Sequence, residues 1–100
     1  MASKMSEKDN FQIKNALVTL AIEQTLLEFG VPALEKVSKK LFEDYHHYMP
    51  DCYTKPEHLN KVLKDLFGDS HIVIVRSIRK RLDEFSAQEP VKNFLDKLSE

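Results

Sequence analysis

The sequence predicts an all-α fold, a compact single-domain bundle of five helices. Its 100 residues are enough for one small domain. Gly occurs only twice and Pro four times, and these six residues lie close to the positions where the apolar pattern breaks. Between the breaks the apolar residues recur at helical spacing, and no segment offers a partner for a β-strand.

The first helix is predicted from about residue 10 to residue 29 and ends before Gly30, a residue type that favours the left-handed conformation at a helix C-terminus. Residues 1–9 are charged or small and are expected to form a disordered N-terminal tail. The helix carries two apolar stripes. One contains Ile13, Ala16, Leu17, Leu20, Gln24 and Leu27, and the other contains Phe11, Val18, Ile22, Leu26 and Phe29. Such a helix is usually buried from two directions, which predicts a central helix or a subunit interface.

The next two helices are bounded by proline and glycine. The second is predicted over about 32–49, because Pro32 suits a first helical turn and Pro50 cannot continue the helix. The third is predicted over about 55–67 and ends at Gly68. Thr54 and Glu57 have the spacing of a capping box, which predicts that the Thr54 hydroxyl caps this helix.

The fourth segment, about 70–85, contains the β-branched run 72–75, which alone favours a strand. A helix is predicted because one apolar stripe continues at helical spacing, with Ile74, Val75, Ile78, Leu82 and Phe85. The fifth helix is predicted over about 89–98, where Ser86 and Glu89 form a second possible capping box. Residues 10–100 therefore form a single helical domain.

Each of the two apolar stripes of the first helix must pack against another segment or another chain. The second to fourth helices are expected to cover the Ile13–Leu27 stripe, and the fifth helix is expected to dock on the Phe11–Ile22 side. That arrangement favours a monomer, because a large apolar patch is unfavourable on a soluble monomer. The alternative is a two-fold homodimer that pairs the Phe11–Ile22 side with its copy.

The composition is that of a soluble globular protein, with 42% apolar residues, 31% charged residues and a formal net charge of −1. The longest apolar run has four residues, whereas a membrane span needs about 20. The polar N-terminus lacks the apolar stretch of a secretory signal. The single cysteine, Cys52, fits a reducing compartment. A cytoplasmic location is expected.

The sequence predicts a protein that is not an enzyme, with no catalytic residues and no cofactor. It contains no Gly-rich phosphate loop, no His-Glu-x-x-His, no Cys-x-x-Cys and no Gly-x-Ser-x-Gly motif. No metal site is predicted either, although thiolate and imidazole ligands suit Zn²⁺. Neighbouring helix residues such as His46 and His47 diverge by about 100°. Whether Cys52 binds a metal with His46, His47 or His58 is left open.

Two groups of side chains form a candidate interaction surface. A basic cluster over residues 76–81 could contact nucleic acid, but Asp83 and Glu84 share its polar face and can pair with it. A group of tyrosines surrounds the turn at Pro50 and could shape a small pocket. The residues selected are Arg76, Arg79, Lys80, Tyr45, Tyr48 and Tyr53.

Four segments carry a resemblance to a known family: Leu26–Gly30, Ala33–Val37, Lys55–Leu59 and Val62–Ser70, with Ile78 downstream. Over about residues 18–85 the chain resembles an archaeal helical domain, the Nitrosopumilus output domain of the fifth type. The most specific element is the Leu-Phe-Gly that closes the third helix. The family usually has smaller residues after Phe-Gly, where this chain has Asp-Ser-His. The resemblance implies an output or interaction role in archaeal signalling, and no catalytic residue follows from it.

Three functions are therefore considered. The leading hypothesis is a non-enzymatic archaeal protein-interaction or signalling-output module with a protein partner. One alternative is a saposin-like protein that binds a small apolar ligand or lipid near Phe42, Tyr45 and Tyr48, although the disulfides of such folds are missing. The other alternative is nucleic-acid binding through the Arg76–Arg81 cluster.

Overall fold

Helices make up most of the chain in the computed structural model, which describes residues 7–100, with side chains from residue 11 onward. The α-helices are α1 (Glu7–Glu28), α2 (Val31–Tyr45), α3 (Pro56–Phe67), α4 (His71–Arg81) and α5 (Glu89–Leu98). Short 3-10 turns lie at Met49–Tyr53, Gly68–Ser70 and Asp83–Phe85, and no strand occurs within residues 7–100. The predicted all-α single-domain class is confirmed.

Helix α1 begins at Glu7, three residues before the predicted start, and the first six residues of the predicted tail lie outside the described part of the chain. At its other end, the amide of Gly30 donates to the carbonyl of Leu27 at 3.0 Å. Gly30 has φ 112°, a conformation that side-chain-bearing residues rarely adopt. Gly30 therefore lets α2 begin directly after α1.

Helix α2 ends at Tyr45, so its predicted end near residue 49 is wrong. His46 adopts the left-handed conformation, with φ 56° and ψ 34°. The amide of His46 donates to the carbonyl of Phe42 at 2.9 Å, and the amide of His47 donates to the carbonyl of Leu41 at 3.2 Å. These bonds complete the helix C-terminus before Pro50 is reached.

The two predicted capping boxes are also wrong. Lys55 is the N-cap residue of α3 and Gln88 that of α5, and neither makes a side-chain capping bond. The Thr54 hydroxyl donates to the carbonyl of Asp51 at 3.1 Å, and the Ser86 hydroxyl donates to the carbonyl of Asp83 at 2.7 Å. Both hydroxyls bond back into the preceding 3-10 turn, because these short polar side chains bond readily to nearby main-chain groups.

Helix α4 ends at Arg81, four residues before its predicted end. The amide of Leu82 donates to the carbonyls of both Ile78 and Arg79, at 3.1 and 3.2 Å. This shared bond tightens the chain into the 3-10 turn Asp83–Phe85. The apolar stripe continues through Leu82, which is 1% exposed, because the turn keeps that side chain in the core.

The core is formed by one apolar side of every helix. Its largest fully buried side chains are Val18, Ile22, Leu26, Leu41, Leu59, Leu63, Ile74, Ile78, Leu82, Phe94, Leu95 and Leu98. Each contributes about 1.5–3 kcal/mol by leaving water. Helix α1 packs on α2, α4 and the Met49–Tyr53 turn, whereas α5 packs mainly on α3 and less on α1.

The predicted covering of the Ile13–Leu27 stripe of α1 is wrong. On the other stripe Val18, Ile22 and Leu26 are buried. Helix α5 contacts α1, but α2, α4 and the Met49–Tyr53 turn contact it more. The stripe expected under the second to fourth helices is instead exposed, with Ile13 at 52% and Leu20 at 54%. Ala21 and Thr25 complete the buried side, because these small side chains let neighbouring elements approach α1 closely.

Candidate functional site

The outer side of α1 is an exposed helix surface without charged groups, here called the α1 face. It consists of Ile13, Ala16, Leu20, Gln24 and Leu27. At about 100° per residue, all five lie within roughly 40° of the direction of Leu20. Ile13, Leu20 and Leu27 repeat every seven residues and extend over about 21 Å of the helix. The α1 face is therefore a narrow, straight apolar stripe.

The α1 face contains no charged side chain. Between residues 11 and 27, every exposed side chain is uncharged. Glu23 is half-buried and flanks the α1 face, whereas Lys14 lies farther round the helix and lines the cavity beside Phe11. A shallow groove of about 530 Å³ runs along the side that carries Ala16, Leu20 and Pro50. The surface thus combines apolar knobs with a groove beside them.

The three tyrosines of the predicted interaction surface do not form one surface. Tyr53 is buried, and its ring lies 5.3 Å from that of Phe11. Tyr45 is half-buried and stacks on the ring of His58 at 4.0 Å. Tyr48 is 69% exposed and lies beside Phe42, which is also exposed. Only Tyr48 is freely presented to a partner.

Intramolecular bonds engage two of the four members of the basic cluster. Arg79 donates to the carbonyl of Leu95 at 3.3 Å and to the Ser99 hydroxyl at 2.5 Å. Arg81 forms an ion pair with Glu28 at the end of α1. Arg76 and Lys80 remain on the exposed side of α4. Two cations carry only a modest, salt-sensitive attraction to phosphates.

No known protein family, curated protein or solved structure matches this chain.

Two of the four histidines pair with each other rather than with the cysteine. His47 Nε2 and His58 Nδ1 are 2.9 Å apart, and His47 Nδ1 lies 3.9 Å from a carboxylate oxygen of Asp51. The ring of His46 lies nearly perpendicular to that of Phe42, with the ring centroids 5.6 Å apart. Within residues 7–100, no three histidine, cysteine or acidic side chains are placed to hold a metal ion. The His47–His58 pair instead joins the chain after α2 to the first turns of α3.

Cys52 is 1% exposed, and burial, reinforced by the charge of Asp51, raises the pKa of its thiol to about 12. The nucleophile and metal ligand is the thiolate, which is absent at neutral pH at such a pKa. Burial also raises the pKa of the Tyr53 hydroxyl. Cys52 is therefore an apolar core residue.

A cavity of about 380 Å³ opens between the start of α1, the Met49–Tyr53 turn, the start of α3 and α5. Its lining includes Phe11, Tyr53 and Phe94, together with Lys14 and Lys97. Sequence reasoning missed this cavity, because its residues come from four elements whose docking no local pattern specifies. The α1 face was visible as a seven-residue repeat, but it was assigned to the core.

In the described part of the chain, no helix has the length and hydropathy needed to cross a membrane.

Proposed function

We propose that this chain is a non-enzymatic protein-interaction module, with a signalling-output role in the cytoplasm of an archaeal cell. The observation that supports this function is the α1 face, an exposed and uncharged helix surface in a chain of which 31% is charged. The resemblance to an archaeal output domain supports the same class of function.

The size of the α1 face supports binding to a macromolecule. Three half-exposed aliphatic side chains, with Ala16 and Gln24, present on the order of 400 Å², in the range of patches that mark interaction sites. The absence of charged groups matches the centre of protein interfaces, where charged residues are depleted. A partner that presents an apolar helix stripe would pack against α1 at about 8–10 Å between helix axes.

The thiol and three of the four histidines are engaged in the fold, which supports a function without catalysis. The Cys52 thiol is buried and protonated, and two of the four histidines bond to each other. A third, His71, bonds through Nδ1 to the carbonyl of Gly68 at 2.9 Å. An active site needs a nucleophile or base directed into a cleft.

Site-specific photo-crosslinking tests the proposal. A benzophenone amino acid at position 20 should crosslink a partner protein from an extract of the source cells. The matched control is position 73, because Val73 on α4 is also about half exposed, at 49%. The proposal predicts adducts from position 20 and far fewer from position 73. Equal adducts from both positions, or turnover in a substrate screen that Leu20→Arg leaves intact, would contradict it.

The cavity beside α5 favours a second candidate function, the binding of a small apolar ligand. Aromatic and proline residues line it, and Lys97, which also lines it, carries an ammonium group that suits a carboxylate. Decanoate is a suitable probe. If this function holds, decanoate will shift the amide resonances of Phe94 and Lys97 in a saturable manner, and Lys97→Glu will weaken the binding.

A further inference from the structure

We infer that the α1 face binds a second copy of this chain, in an antiparallel two-fold pair of α1 helices with Leu20 at the axis. This inference rests on the proposed function, because it names the partner of the same surface. The first argument is spacing: Ile13 and Leu27 lie seven residues on either side of Leu20. An antiparallel two-fold pair therefore places Ile13 of each copy against Leu27 of the other, and Leu20 against its own copy.

The second argument is electrostatic. Glu23 flanks the α1 face and lies on the same side as Ala16. In a parallel two-fold pair the two Glu23 carboxylates lie on opposite sides of the seam, so the charge of Glu23 permits either orientation and the helix dipoles decide between them. In the antiparallel pair Glu23 lies opposite the small, uncharged Ala16. The antiparallel orientation aligns the helix dipoles favourably.

The third argument is area. Two copies of the α1 face, with the flanking Gln12 and Thr19 side chains, bury on the order of 1,000 Å² in total, the lower limit for a specific interface. The monomer favoured by the sequence required both stripes of α1 to be covered within one chain. The structure leaves one stripe uncovered, and a second copy covers it without any further segment.

Sedimentation and light scattering of the full chain, from about 10 μM to about 1 mM, test the inference. The expected result is a concentration-dependent rise from 11.6 kDa to twice that mass. Leu20→Arg should weaken the dimer by at least about 30-fold, since it brings two cations together at the centre of the interface. Val73→Arg, at a similarly exposed position on α4, should leave the dimer intact. A wild type that stays monomeric at 1 mM, or a Leu20→Arg variant that still dimerises, overturns the inference.

Cysteine crosslinking tests the orientation. A mixture of the Ile13→Cys and Leu27→Cys variants should form a mixed disulfide, whereas Ile13→Cys alone should not, because disulfides need Cα atoms within about 7 Å. The native Cys52 is 1% exposed and does not compete. A disulfide between two copies of Ile13→Cys would overturn the antiparallel arrangement.

The same experiments separate this inference from the proposed function. A chain that is monomeric, yet crosslinks a different protein from position 20, refutes the dimer and supports the interaction module. A chain whose position 20 crosslinks only to its own copy supports the dimer, and the partner of the interaction module is then the second copy.

Discussion

The side-chain amide of Asn60 donates a hydrogen bond across 2.6 Å to the main-chain carbonyl of Leu98, which joins the last turn of α5 to α3. The same nitrogen also donates to the carbonyl of Glu100 at 2.9 Å. Asn60 is 5% exposed, and the Leu98 side chain is fully buried. Two carbonyls near the end of α5 thus have a buried donor from another helix, where the helix itself leaves them without partners.

Replacing this donor should destabilise the domain. Asn60→Asp is expected to lower the free energy of unfolding by about 2 kcal/mol or more, because a buried carboxylate would face carbonyl oxygens with no proton to donate. Urea denaturation measures the change. The matched control is Asn93→Asp, at an exposed position on α5, which should change stability by about 0.5 kcal/mol or less. Equal effects at both positions would show that Asn60 does not bind the end of α5.

The Thr25 hydroxyl is expected to lower the free energy of unfolding. Thr25 is fully buried, and its oxygen is the only buried side-chain polar atom without a hydrogen-bond partner within the described residues. Thr25→Val replaces it with a methyl group of similar shape, so the free energy of unfolding should rise by about 1 kcal/mol. Thr19→Val is the control, because the Thr19 hydroxyl donates to Asn15 at 3.0 Å and its removal should not stabilise. A lower stability of Thr25→Val would show that the hydroxyl has a partner.

Replacing a leucine with alanine compares the contribution of a buried position on α3 to stability with that of an exposed position on α1. Leu63 of α3 is fully buried, so Leu63→Ala should cost about 2–5 kcal/mol in the free energy of unfolding. Leu20 of α1 is 54% exposed, so Leu20→Ala should cost about 0.5 kcal/mol or less when measured on the monomer at low concentration. A large loss for Leu20→Ala in the monomer would mean that the α1 face is part of the core.

The amphipathic helices could be predicted from the sequence because each carries a single stripe. The fifth helix lies at Glu89–Leu98, as its spacing predicts, and Leu63 is buried, as the stripe of the third helix predicts. Helix α1 has two stripes, and local pattern does not say which one the other helices will cover. Packing determines which stripe of α1 is buried. The small side chains of Ala21 and Thr25 lie beside Val18 and Ile22, so neighbouring elements approach this side more closely. The α1 face was misassigned for this reason.

Helix ends were harder to predict than helix sides. Pro50 and Thr54 were plausible boundary residues, yet the left-handed His46 and the inward bond of Thr54 decide the actual chain path. The conformation of His46 and the hydrogen bond of Thr54 both depend on the Met49–Tyr53 turn. This turn packs on α1, and no local pattern specifies its position. For the same reason Thr54→Ala should cost less than the roughly 1 kcal/mol of a lost N-cap.

Cys52 makes the stability of the domain depend on pH in the alkaline range. Its thiol pKa rises from an ordinary value of 9.0 to about 12 in the fold, chiefly because the charged form is unfavourable when buried. The unfolded chain therefore releases this proton at lower pH than the folded chain. The resulting stability is complete below pH 9 and is lost as the pH rises toward 12, by up to about 4 kcal/mol.

Two measurements check this prediction. Between pH 8 and pH 11, the free energy of unfolding should fall more steeply for the wild type than for Cys52→Ala. The difference between the two isolates the thiol, because the buried Tyr53 hydroxyl, whose pKa is also raised, is present in both. At pH 8 a disulfide reagent should react with Cys52 only after denaturant has opened the core, since the thiolate is the reactive form. Parallel pH profiles for both proteins, together with rapid labelling of the native chain, would show that the thiol is accessible to water.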